Sequence, residues 1–350
     1  MVRHRREWIR NRRCTVFTMA EVAVIGATTW GRTLAGLLAN KGVAVSICTR
    51  TEARAEELRR EQQDRLSKAD LSDCLSFTNN ADEALRSAEF AVLAVPAQTM
   101  RQNVHTIADH LTASTILVSV AKGLEAETGK RMSQVITEEV ASGSMDRVCV
   151  LSGPNLSKEI NEGLPATSVV AGNDIRVTEK TQSLLDSPNF SVFTSDDTVG
   201  VELCGALKNV IALGAGVLDG LSLGNNAKAA FITIGWGEVV SLAAALGAKV
   251  ATFYGLAGLG DLIATGNSPL SRNHYVGCEL GKGRSLGEIT ASMSGIAEGI
   301  DTAMGAHRLA AEVGVEMPVM DLIHGVLFES VPPVELSIRL RNGLRPDSAT

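Results

Sequence analysis

The sequence predicts an α/β domain built on a doubly wound, largely parallel sheet, followed by a second, all-helical domain. Three observations predict it. Over the first half, short apolar runs alternate with amphipathic stretches, the pattern of βαβ units. After about Asp197, β-branched runs give way to long Ala-, Gly- and Leu-rich segments with helical spacing. The chain of 350 residues also exceeds what a single core normally holds. The expected division is 20–198 for the α/β domain and 199–345 for the helical one.

In chain order, EVAVIGA, AVSICTR, LSFTN, EFAVLAVP, STILVSVAKG, RVCVLSGP, ATSVVAG and FSVFTSD each read as a strand. The nearly continuous apolar content of EVAVIGA and EFAVLAVP suits strands covered by helices on both faces. Helical spacing falls between them at 30–41, 52–66, 98–110 and 130–141. It returns in the second half at 199–218, 226–246 and 299–313. The tail beyond Asn342 reads as a frayed terminus. Residues 1–19 stand apart, with Arg3, Arg5, Arg6, Arg10, Arg12 and Arg13 in a run without apolar periodicity and Met19 directly before the first strand. Such runs are usually solvated, so a disordered basic extension is expected.

With 45% hydrophobic and 21% charged residues the composition is that of a folded globular protein. A formal net charge of −6 argues against a broad nucleic-acid footprint, so an anionic ligand must be held by a local cluster of cations. Cys14, Cys48, Cys74, Cys149, Cys204 and Cys278 form no C-x-x-C pair, which fits a reducing, cytoplasmic setting and leaves no zinc ligand set. Even the most apolar stretch, near 199–218, holds Glu202 and Lys208, so no stable membrane insertion is expected.

Gly26-Ala27-Thr28-Thr29-Trp30-Gly31 follows the first strand and opens a helix, where a pyrophosphate can meet free backbone N–H groups and the positive end of the helix dipole. The spacing is that of the Rossmann-type G-x-G-x-x-G turn, with Thr28 in place of the second glycine. The second strand ends at Cys48-Thr49-Arg50-Thr51, without the acid that usually holds an NAD ribose. Arg50, aided by Arg54, is placed to meet the 2′-phosphate of NADP, and NAD and NADP both stay open.

Three further segments converge on a cationic site. Lys122 follows the strand STILVSV, at a carboxyl end of the sheet where doubly wound folds bind ligands. Lys208 shares its long apolar helix with Glu202 alone among charged residues. A buried ammonium there lowers its pKa or finds a partner, which makes it a candidate proton donor and acceptor. Gly255-Leu256-Ala257-Gly258-Leu259-Gly260 leads into Asp261 and is followed by Ser271-Arg272-Asn273, donors sufficient to hold a phosphate. On these residues alone, a dehydrogenase for another small anionic substrate and a non-catalytic NAD(P)H sensor remain alternatives.

The ordered set GATTWG, SVAKGLE, LSGP, VELCGALKNVIALGAG, GLAGLGDL, SPLSRN and MSGIAEG resembles the bacterial NAD(P)-dependent glycerol-3-phosphate dehydrogenase family, from about residue 20 to about 340. The resemblance implies a 6-phosphogluconate-dehydrogenase-like two-domain fold and reversible reduction of dihydroxyacetone phosphate to sn-glycerol 3-phosphate, supplying glycerophospholipid synthesis. It also implies a homodimer. Gly26, Thr29, Trp30, Gly31, Arg50, Lys122 and Ser157 would then contact the dinucleotide, with Arg272, Ile296 and Glu298 closing over it. Lys122, Gly153, Asn155, Lys208, Asp261, Ser271, Arg272 and Asn273 would line the substrate, with Lys208, Lys122 and Asp261 catalytic. The chain departs from the family pattern at Asn155, where Ser or Thr is usual, at Asn225, where an acid is usual, and at Ile234, where an arginine is common.

Overall fold

Apolar strands that must bury both faces need helices on either side, and the computed structural model supplies them. It describes residues 21–66, 74–140, 144–266, 271–293 and 295–341. The basic extension and the tail beyond Asn342 lie outside the described residues.

Among the described residues eight strands form one sheet in the order β3-β2-β1-β4-β5-β6-β7-β8. They are β1 (Val22–Ile25), β2 (Val45–Cys48), β3 (Leu75–Thr78), β4 (Phe90–Leu93), β5 (Ile116–Ser119), β6 (Val148–Ser152), β7 (Ala166–Gly172) and β8 (Phe190–Ser195). Every neighbouring pair is parallel except β6 and β7, so the last two strands run against the other six. The period-two alternation sorts β1 onto two cores: Val22 and Val24 pack on one face with Leu34 and Leu38, whereas Ala23 and Ile25 pack on the other with Met100 and Ile136.

Helices α1 (Thr29–Asn40) and α2 (Glu52–Leu66) follow β1 and β2, and α3 (Ala81–Leu85), α4 (Met100–Ile107) and α5 (Met132–Glu139) follow β3, β4 and β5. The short α6 (Ser157–Asn161) precedes β7, and α7 (Ile175–Leu185) precedes β8. At the far end of α1, the Lys41 ammonium donates to the carbonyls of Ser183, Leu184 and Asp186, which ties α1 to the C-terminus of α7.

The helical part begins with α8 (Thr198–Gly220), whose Asp197 cap accepts from the N–H of Gly200. It continues through α9 (Gly224–Ala245), α10 (Val250–Phe253), a π-helical turn at Leu256–Gly260, α11 (Asp261–Gly266) and α12 (Arg272–Gly281). The remaining helices are α13 (Leu286–Ser292), α14 (Glu298–Val313), α15 (Pro318–Phe328) and α16 (Glu335–Arg341). Helix α8 is buried almost throughout and crosses α12 at backbone contact. Gly277 lies so near Leu213 that an added Cβ would sit 1.9 Å from its carbonyl oxygen, and Gly216, Gly220 and Gly281 are equally confined. These glycines seat α12 along the half of α8 that follows Lys208.

Two described helices, α8 and α9, are long and apolar enough to cross a membrane by length and composition, which corrects the expectation that no segment is. The three charges of α8, Glu202, Lys208 and Asp219, each have a polar partner inside the protein. Glu202 reaches the N-terminus of α5, accepting from the Ser133 N–H at 2.7 Å, from its hydroxyl, and from Arg131 at 2.6 Å. That largely buried pair fastens the helical part to the sheet.

Candidate active site

The strand order reverses between β1 and β4, and the carboxyl ends of β1, β4, β5 and β6 deliver the loops that carry Gly26, Ala97, Lys122 and Gly153. Gly26 takes a φ of +101°, and a Cβ there would lie 2.7 Å from the Ala94 carbonyl. Gly31 is confined in the same way against Gly26 and Ala94. Both positions need glycine because β1, β4 and the start of α1 touch. Thr28, standing where a second glycine was expected, caps α1: its hydroxyl accepts from the Gly31 N–H at 3.1 Å and donates to the Ala94 carbonyl at 2.9 Å. The N–H groups of Thr29 and Trp30 have no partner among the described residues. This turn therefore fits a dinucleotide pyrophosphate. Trp30 packs edge-on against Phe190, and its buried ring N–H is unpaired. Ser157 opens α6, which packs against α1. Arg50 is exposed just beyond β2 and makes no ion pair among the described residues, whereas Arg54 is engaged by Glu57 and Glu61.

Lys122, Lys208 and Asp261 come together across the two halves of the chain. Asp261, only 2% exposed, accepts from Lys208 Nζ through Oδ1 at 2.9 Å and from Lys122 Nζ through Oδ2 at 2.7 Å. Lys122 also donates to the Gly153 carbonyl at 2.7 Å. Burial lowers the pKa of Lys208 most. Asp261 pulls it back up and Lys122 pushes it down again, leaving it at about 8. Burial raises the Asp261 carboxyl, but the two lysines outweigh it and hold the group below its ordinary range.

The glycine-rich approach to Asp261 is packed closely at Gly258. A Cβ at Gly258 would lie 2.4 Å from the Phe253 carbonyl, so the π-helical turn folds back on α10 and presents Asp261 at the start of α11. Two residues join the cluster that the sequence reading passed over. Thr265, one helical turn after Asp261, bonds both Lys208 and Asp261. Asn209 donates to the Lys122 carbonyl at 2.9 Å. The signals were present: an amide beside the one lysine of an apolar helix, and a hydroxyl four residues beyond a buried acid.

The remaining residues surround this centre unevenly. Ser271 caps α12 by accepting from the His274 N–H. Arg272 is exposed and lies against Gly295, while Asn273 is buried, its oxygen accepting from the Gly299 N–H at 2.9 Å. Asn155 sits 3.1 Å from Ser168 and makes no hydrogen bond to Lys122, Lys208 or Asp261. Ile296 is exposed. Glu298 spans the interface to accept from the Ala97 N–H at 3.2 Å, and its other oxygen is buried, unpaired and turned toward Gly123. Burial is the main reason its carboxyl rises to about 7, with Asp301 adding to the shift against the Ala97 N–H and Arg272. Asn225 and Ile234 are both exposed on α9, so their departures from the family pattern leave no buried group unpaired.

Residues 21–178 match the family model described as the N-terminus of NAD-dependent glycerol-3-phosphate dehydrogenase, and residues 197–337 match the model of its C-terminus. A glycerol-3-phosphate dehydrogenase [NAD(P)+] of Dehalococcoides mccartyi is 49% identical over 91% of this chain and 89% of its own length. One from Thermobifida fusca is 44% identical over 91% of this chain and 95% of its own. Among solved structures, a glycerol-3-phosphate dehydrogenase from Coxiella burnetii superposes with a TM-score of 0.85 at 30% identity, covering 93% of this chain and 99% of that one.

Proposed function

The chain belongs to the NAD-dependent glycerol-3-phosphate dehydrogenase family, and on that premise we propose that Lys208 moves the proton of its reaction. The activity itself, interconversion of dihydroxyacetone phosphate and sn-glycerol 3-phosphate with NAD or NADP, follows from that membership. The observation that carries the proposal is the single buried carboxylate shared by two lysines at the end of β5.

When bound, the reduced nicotinamide supplies the hydride. Lys208, protonated below about pH 8, donates to the carbonyl oxygen of dihydroxyacetone phosphate as that oxygen becomes an alkoxide, and its neutral form takes the proton back in the reverse direction. Lys122 places a second positive charge against the same oxygen, and Asp261 lets the two ammonium groups coexist in a buried site. Arg272 offers a planar fork to the phosphate, with the Asn273 amide and the Ser271 hydroxyl beside it and Gly153 and Asn155 on the opposite wall. Gly26, Thr29, Trp30, Gly31 and Ser157 take the dinucleotide, Arg50 its adenosine ribose, and Ile296 and Glu298 its nicotinamide end.

The reading extends to an α/β domain over 20–198 that holds the dinucleotide, a helical domain over 199–345 that completes the substrate site, a homodimer, and a cytoplasmic enzyme that feeds glycerophospholipid synthesis without entering the membrane. Lys208→Ala tests its core. Turnover should fall about 10²–10⁴-fold while dinucleotide binding is kept, because a positioned acid–base group contributes on that order. A variant with near-normal turnover would sink the assignment.

A further inference from the structure

Among the described residues Arg32, Arg50 and Arg54 lie near the end of β2 and the starts of α1 and α2, and two of the three are occupied. Arg32, in the first turn of α1, donates to Glu61 at 3.0 Å. Arg54, in the first turn of α2, lies 2.5 Å from Glu57 and 3.9 Å from the other oxygen of Glu61. Arg50 alone has no carboxylate partner, and Glu52, the acid nearest to it in sequence, is engaged by Arg59. We propose that Glu61 sets the choice between NAD and NADP by withholding the guanidinium group of Arg32 from the 2′-position of the adenosine ribose, while Glu57 holds Arg54. This rests on the placement of Arg50 at that ribose.

The arrangement makes the restraint weak enough to tune. The Arg32, Arg54 and Glu61 side chains are each more than a third exposed, and exposed ion pairs exchange partners readily. A 2′-phosphate is dianionic and accepts a guanidinium fork at two oxygens, so it competes well for any arginine set free. Arg32 also keeps a buried Nε–H without a partner, so its bond to Glu61 leaves one donor unused. The 2′-hydroxyl of NAD draws little on added positive charge. Loss of the Glu61 carboxylate should therefore improve the site for NADP and leave it nearly unchanged for NAD.

The test measures binding of 2′,5′-ADP and of 5′-AMP to the full chain by calorimetry, alongside kcat/KM for NADPH and NADH. In Glu61→Gln, 2′,5′-ADP should bind roughly three- to tenfold more tightly, with 5′-AMP unmoved and the NADPH to NADH ratio rising in step. Adding Arg32→Gln to that variant should abolish the gain. An unchanged affinity for 2′,5′-ADP, or an equal gain for 5′-AMP, overturns the proposal. A gain that survives loss of Arg32 overturns it too, since that guanidinium would then not be its source. If Arg50→Ala in the otherwise natural chain leaves the preference for 2′,5′-ADP over 5′-AMP intact, the placement of Arg50 fails and the proposal with it.

Discussion

Replacing Asp261 by asparagine removes the one negative charge between two lysines and keeps the shape of the side chain. At the 2.9 Å separation from Lys208, a unit charge pair is worth about 6 kcal/mol at an effective dielectric of about 20. That corresponds to about four pKa units, and the amide oxygen, still able to accept a hydrogen bond, recovers part of it. A fall of about two units is therefore a conservative expectation, taking Lys208 from about 8 to near 6. Reduction needs the protonated lysine, so it is full below the pKa and lost as pH rises through it; oxidation needs the neutral lysine and shows the reverse. At pH near 7.5 the protonated fraction alone would drop roughly 25-fold. The assay is the pH profile of kcat/KM in both directions, with a urea midpoint to confirm folding, since two unbalanced buried cations will also destabilise the protein. A reductive limb that stays near 8 in Asp261→Asn would refute the electrostatic account of Lys208.

Arg272→Lys keeps the charge but loses the fork, and should raise KM for dihydroxyacetone phosphate about tenfold with a smaller effect on kcat; an unchanged KM removes Arg272 from the phosphate. Gly277→Ala puts a methyl group 1.9 Å from the Leu213 carbonyl oxygen and should cost about 3 kcal/mol or more in a urea titration, because backbone cannot yield as a side chain does. Glu202→Gln strands the Arg131 guanidinium in a largely buried seam and should cost about 3 kcal/mol, seen as a lower Tm. Because folding lowers the Lys208 pKa from 10.5 to about 8, the unfolded chain binds more protons between those values, so this group makes stability rise with pH across that window and leaves it flat below.

All eight strands were legible because each is a short apolar run bounded by turn residues, and burial on both faces demands such runs. The long helices were legible for a similar reason. Segments such as Ala81–Leu85 and Ser157–Asn161 are too short to show a period. The reversal of β7 and β8 was not legible either, since strand direction leaves no trace in an apolar run. In the site, chemistry pointed to Lys122, Lys208 and Asp261, which the structure brings together, but not to how they pair. Lys208 and Asp261 are 53 residues apart, and nothing local says that one carboxylate serves both lysines. The glycines before Asp261 did not reveal their packing role, because close backbone approach and anion binding call for the same residue. Thr28 looked like a defect in the turn until its hydroxyl proved to cap α1 and bond the Ala94 carbonyl.

The placement of Asp261 explains why the site can contain two lysines at all. Two ammonium groups buried together would each shed a proton, and neither would then be an acid at neutral pH. A carboxylate on each would restore both to their ordinary range and leave no proton easy to give. One carboxylate bonded to both lysines lands between these limits. It keeps positive charge where an alkoxide develops and leaves Lys208, the more deeply buried of the two, with a pKa of about 8. The asymmetry comes from the fold: Lys208 sits inside a helix packed against α12 at backbone distance, whereas Lys122 rises from a loop at the end of β5. Loosening that helix packing should therefore admit water to Lys208 and raise its pKa toward that of an exposed lysine, even in a variant that keeps every residue of the site.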